Sequence, residues 1–119
     1  METAGVRCEM KNGYLNIAIE GDIDHHSAKY IRDSIDSAIF LFSPTLAILD
    51  LSSVTFMDSS GLGLILGRYT RLREVGGILK IANPSNEIKK ILYLAGLEKY
   101  IPIIKNQEAV AKADTPKHF

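Results

Sequence analysis

Thr45 to Leu51, Thr-Leu-Ala-Ile-Leu-Asp-Leu, is a nearly continuous apolar run of strand length. A strand with one wet face alternates apolar and polar side chains. A run this unbroken reads as a strand covered on both faces. Segments of helical spacing flank it. Ala28, Ile31, Ile35, Ala38, Ile39 and Phe42 recur at that spacing before it, and Ser43-Pro44 ends the pattern. Leu62, Ile65, Leu66, Tyr69 and Leu72 form a second stripe after it, stopped by Gly76-Gly77. A strand buried between two amphipathic helices confines the chain to an α/β architecture.

The remaining segments fill in that plan. Val6, Cys8 and Met10 alternate with polar residues, as do Leu15, Ile17 and Ile19. Asn12-Gly13 joins the two runs, and both residues accept the positive φ of a tight hairpin turn. Gly21 to His26 reads as a polar connection, with Asp24 or Ser27 available to cap the first helix. Leu51 to Ser60 reads as a second connection. Ile78 to Ala82 predicts a strand, Asn83 to Asn86 a loop, and Ile88, Ile91, Leu92 and Ala95 a third helix closed by Gly96. Tyr100 to Ile104 predicts a short strand. Asn106 to Ala113 predicts a fourth helix, and residues 112–119 a frayed tail. The expected fold is one α/β domain over residues 1–119, with its core at about 6–110. Its sheet is mixed but mostly parallel, begins with a hairpin and carries about four helices. The connections Gly21–His26, Leu51–Ser60 and Asn83–Asn86 leave the carboxyl ends of parallel strands, so they gather at one edge, where open α/β sheets build sites.

Charge narrows the function classes. Fourteen basic and fourteen acidic residues cancel. A general nucleic-acid binder or a polybasic membrane-surface protein carries a basic excess that this chain lacks. The single cysteine, Cys8, permits no internal disulfide and fits a reducing compartment. Met1 to Gly5 lacks the apolar stretch of a signal peptide, and no run approaches the roughly 20 apolar residues of a membrane span. A cytoplasmic globular domain is expected, with no direct contact to nucleic acid or membrane.

The segment with most chemical content is Phe56-Met57-Asp58-Ser59-Ser60-Gly61-Leu62-Gly63, between the central strand and the second helix. Asp58, Ser59 or Ser60 can cap that helix. A serine there also lies at the positive end of the helix, where a phosphate is stabilised. Gly63 and Gly67, four apart on one helix face, allow close packing. The glycines match neither G-x-G-x-x-G nor G-x-x-x-x-G-K-[ST], so no known nucleotide loop is present. His25-His26 with one distant cysteine makes a poor metal set. Asp22 and Asp24 lack the nucleophile or basic clamp of a catalytic constellation. No cofactor, metal or enzymatic activity is expected, and Lys89-Lys90 reads as a solvated pair.

Asp50 to Gly63, Asp-Leu-Ser-Ser-Val-Thr-Phe-Met-Asp-Ser-Ser-Gly-Leu-Gly, resembles the signature of STAS domains in the anti-sigma factor antagonist family. Gly21 to Ala28 and Leu64 to Tyr69 are more similar to the sporulation branch than to the general stress-response branch. The resemblance covers about residues 6–110 and implies a STAS-type fold and a partner-switching cycle. In that cycle the unphosphorylated antagonist binds an anti-sigma factor that is also a serine kinase, which frees a sporulation sigma factor. The kinase phosphorylates the first serine of the pair, here Ser59, and a serine phosphatase reverses this. Asp22, Asp24, His25, Asp58, Ser59, Ser60, Gly61, Leu62 and Asn83 are then the expected partner-facing residues. Two alternatives are a STAS scaffold or sensor of a stress-response complex and a small nucleotide-binding enzyme. The first usually carries extra membrane or sensory segments; the second needs a phosphate loop.

Overall fold

A computed structural model describes residues 4–105. Strands β1 (Gly5–Lys11) and β2 (Tyr14–Ile23) precede helix α1 (Ala28–Phe42). Strand β3 (Leu46–Met57), helix α2 (Ser59–Glu74), strand β4 (Ile78–Ala82) and helix α3 (Asn86–Leu94) follow. A 3-10 turn (Leu97–Lys99) and strand β5 (Ile103–Ile104) close the described chain. The sheet runs in the order β1-β2-β3-β4-β5. Among the described residues only the β1-β2 pair is antiparallel; the other three pairs are parallel.

The hairpin forms as its sequence requires. Asn12 and Gly13 have φ of 54° and 88°, and Lys11 faces Tyr14 across the turn. From β2 onward each crossover steps to the next strand in the same direction. Right-handed connections of that kind lay their helices on one face. Ile31 and Ile35 of α1, Ile65 and Leu72 of α2, and Ile88 and Leu92 of α3 accordingly share one core with Leu15, Ile17, Ala47, Leu49 and Ile81. Residues one step out of phase point the other way. There Tyr14, Ile48 and Ala82 form a smaller buried cluster with Leu46 and Ile104. Ala47, Ile48 and Leu49 of the central strand are all buried, which is the two-sided burial its apolar run implied.

Several boundaries differ from the sequence-based expectation. β2 continues through Ile23 and β3 through Met57, so parts of both expected connections are strand. The β2-β3 pairing shifts register between Ala18 and Glu20 and again between Gly21 and Asp22. Such irregularities break the period-2 pattern that marks a strand in sequence. Helix α2 is also rotated from its expected face. It buries Gly61, Leu64, Ile65, Arg68 and Leu72, while Leu66 is exposed and Leu62 and Tyr69 are only partly covered. Phe42 of α1 is exposed too. The predicted final strand shrinks to Ile103–Ile104. The expected helix Asn106–Ala113 and the tail 112–119 lie outside the described residues.

Candidate functional site

The amide of Asp58 donates to the carbonyl of Ile23 at 3.2 Å and ties the ends of β2 and β3 together. Asp58 is the N-cap of α2: its backbone is extended and its Oδ1 accepts from the Ser60 amide at 2.8 Å. Of the three candidate caps, Asp58 makes the bond. Ser59 is therefore the first helical residue, exposed, with its hydroxyl outside the cap. The helix dipole makes this end attractive to negative charge.

Asp22, on the last turn of the β2 pleat, accepts a hydrogen bond from Thr55 Oγ1 of β3 at 2.7 Å. The Ser27 hydroxyl donates to the Asp22 carbonyl at 2.8 Å and accepts from the Asp24 amide at 3.1 Å. Asp24 Oδ1 accepts from the amides of Ser27, at 3.0 Å, and His26, at 2.9 Å. Asp24 thus fastens the turn into α1, and Ser27 spends its side chain on the loop, not on the helix end. His25 is exposed and packs edge-on to His26, with centroids 5.6 Å apart. Asn83 ends β4 in a left-handed conformation, φ 56°, and its amide donates to the Ile104 carbonyl at 2.9 Å. Asp22, Asp24, His25, Asp58, Ser59, Ser60, Gly61 and Leu62 therefore assemble where β2 and β3 end. Asn83 lies on the same edge of the sheet, one strand away.

The Ser27 amide, followed by that of His26, holds the Asp24 carboxyl below its ordinary value of 3.8. A carboxyl depressed on folding stabilises the fold above its unfolded pKa, and that contribution is lost as pH falls through the folded one. The stability difference between the wild type and Asp24→Asn should therefore be constant above about pH 5 and close as the pH drops below the carboxylate range. Urea unfolding at a series of pH values measures this. A difference that widens on acidification would contradict the assignment.

The glycines of α2 divide by environment. Gly61 sits against Met57 and Ile23, where an added Cβ would run into Met57 Cγ and come within 2.7 Å of its Sδ. At Gly63 and Gly67 an added Cβ would meet nothing within 4 Å, so the close packing that their spacing allows is not used among the described residues. Gly63→Ala should raise stability by up to about 1 kcal/mol, the helix-propensity gain. Gly61→Ala should lower it by about 1–2 kcal/mol, because overpacking outweighs the same gain. Equal shifts of the two urea midpoints would refute the contrast.

Sequence reasoning missed one charged pair in this layer. Arg68 is 8% exposed on the inner side of α2, with Nε 2.9 Å from Oδ1 of Asp36 on α1. The approach lies outside hydrogen-bond geometry, so both atoms are buried without a hydrogen bond. Burial draws the Arg68 pKa down, and Asp36 partly restores it. Arg71 Nε adds a longer contact to Asp36, at 3.8 Å. The signal was available: Arg68 falls in phase with Gly61, Ile65 and Leu72. Among the described residues no group of three or more His, Cys, Asp or Glu stands together as a metal site. No helix among them is long and apolar enough to cross a membrane.

With this geometry in place, comparison with known proteins is specific. The STAS domain family model matches residues 6–111. The anti-sigma F factor antagonist of Paenibacillus polymyxa is 34% identical over 102 residues, spanning 86% of this chain and 87% of its own. The structure of the anti-sigma factor antagonist SpoIIAA in its unphosphorylated form superposes with a TM-score of 0.77 at 34% identity, covering 92% of this chain and 96% of that one. The phosphorylated form of the Bacillus cell fate determinant SpoIIAA gives 0.69 at the same identity, covering 92% and 99%.

Proposed function

The chain belongs to the STAS domain family, and from that premise we propose that it is an anti-sigma factor antagonist switched off by phosphorylation of Ser59. The unphosphorylated protein binds an anti-sigma factor with serine kinase activity and so frees a sporulation sigma factor. The kinase modifies Ser59, and a serine phosphatase restores binding. The protein itself acts in the cytoplasm as a binding module and catalyses nothing. Asp22, Asp24, His25, Asp58, Ser59, Ser60, Gly61, Leu62 and Asn83 form the partner-facing edge.

One observation carries this reading. Ser59 is exposed at the positive end of a 16-residue helix, while its neighbour Asp58 supplies the cap. The fold makes no demand on the Ser59 hydroxyl, so a phosphate can come and go without dismantling the helix start. The relatives support it: one is named for antagonism of anti-sigma F factor, and SpoIIAA is known in phosphorylated and unphosphorylated forms. The test is a reconstitution with the purified anti-sigma factor of the same organism and ATP. Wild type should be captured and take up one phosphate. Ser59→Ala should be captured and take up none. Phosphate uptake by Ser59→Ala, or failure of the unmodified protein to bind, would overturn the proposal.

A further inference from the structure

Helices α1 and α2 part beside Ser59 to form an open cleft of about 330 Å³. A single water occupies about 30 Å³ of liquid, so the cleft admits side chains. Lys29 and Arg32 line it from α1, His25 from the turn that precedes α1, and Ser60, Gly63 and Arg68 from α2. Nothing in the fold requires Gly63 to lack a side chain, since a Cβ there meets only open space. Its bareness keeps the cleft accessible. Among the described residues no carboxylate lines the cleft. The two acids behind it are Asp33, bound to Lys29 at 3.0 Å and Arg32 at 3.2 Å, and Asp36, beside Arg68 and Arg71. Three cations, Lys29, Arg32 and Arg68, line the cleft against these two carboxylates, and Arg71 also contacts Asp36, so among the described residues the balance is positive before His25 is counted. Arg68 lines the cleft nine-tenths buried, its Nε without a hydrogen bond.

We propose that this cleft seats an acidic segment of the anti-sigma factor, which presents carboxylates to Lys29, Arg32 and Arg68 while its backbone passes close over Gly63. The inference rests on the antagonist reading above and extends the partner surface from the strand ends onto the α1-α2 layer. The surface is then bipolar, with Asp22, Asp24 and Asp58 at the strand ends and cations in the cleft, and this polarity fixes the orientation of the partner. It also supplies a reason for the switch. Ser60, the residue after Ser59, lines the cleft. A phosphate on Ser59 competes for its cations and repels the incoming carboxylates.

The test uses the full chain and the purified anti-sigma factor, with affinity measured by titration calorimetry at low and high salt. Lys29→Gln/Arg32→Gln should weaken binding by about 30-fold at low salt and flatten the salt dependence, because charge pairs at an interface govern both. Its melting temperature should stay near that of the wild type, since both side chains are exposed. Gly63→Leu should abolish binding by filling the cleft, with unchanged or higher thermal stability. If the wild type binds, Ser59→Asp does not, and both cleft variants bind normally, the cleft proposal is wrong and the antagonist reading stands. If only Gly63→Leu loses binding, the occupant is uncharged and its acidic assignment falls. If Gly63→Leu instead abolishes a homodimer without altering partner binding, the occupant is a second copy and the proposal fails. If the unmodified wild type does not bind, the antagonist reading fails and takes this inference with it.

Discussion

Protein phosphorylated on Ser59 is expected to bind the anti-sigma factor more than a hundredfold more weakly than unmodified protein, with the same fold. Phosphorylation adds about 1.5 to 2 negative charges. At the N-terminus of α2 that charge gains about 0.3–2 kcal/mol, so the free protein tolerates it. A docked partner reverses the balance by stripping water from a phosphate beside the carboxylate of Asp58. Two unit charges about 5 Å apart repel by about 3 kcal/mol at an effective dielectric of about 20. That is a loss of more than a hundredfold in affinity. Ser59→Asp should reproduce most of the loss, and Ser59→Ala should bind constitutively. Amide chemical shifts report on the fold. They should change around Ile23 and the first turn of α2, which hydrogen bonds link to Asp58, and at Asp24, the next residue after Ile23. Shifts spread through β4 and α3 would show a conformational switch and refute this mechanism.

Asp36→Ala is expected to lower stability by about 3 kcal/mol, because it strands Arg68 as an uncompensated buried charge. For a domain of this size the melting temperature should fall by roughly 10–15 °C. The pair itself is weak evidence of net stabilisation, since both charges were taken out of water to form it. Replacing both partners, as in Asp36→Leu/Arg68→Met, should therefore bring stability to within about 1 kcal/mol of the wild type. Thermal and urea unfolding of the two variants measure the difference. A single variant as stable as the double would mean that solvent reaches Arg68, and the pair would then count as a surface contact worth little.

What the sequence settled alone has a common physical origin: each feature is decided within a few residues of chain. Asn12-Gly13 requires positive φ and nucleates the hairpin wherever the rest of the chain goes. The apolar run at Thr45–Leu51 has to be buried on both faces, whichever elements do the covering. Asp58-Ser59-Ser60 marks the start of α2 by its local capping chemistry, although the sequence left three candidates for the cap and the structure chose Asp58. The resemblance of Asp50–Gly63 to the STAS signature follows from the same continuous stretch, which is why the family was legible before the fold was known.

The remainder depended on residues distant in sequence. The extension of β2 and β3 to Ile23 and Met57 rests on ladder bonds across two register shifts, which neither strand displays alone. The rotation of α2, which buries Leu64 and exposes Leu66, was set by what α1 and the sheet presented to it. Gly61 and Gly63 look equivalent in the motif, yet one lies against Met57 and the other faces open space. Asp36 and Arg68 are ordinary helical charges until the two helices pack and exclude water between them. Periodicity and capping are short-range and written into the chain. Helix rotation, register and the pairing of buried charges arise only when separate elements compete for the same space, so the tertiary structure decided them.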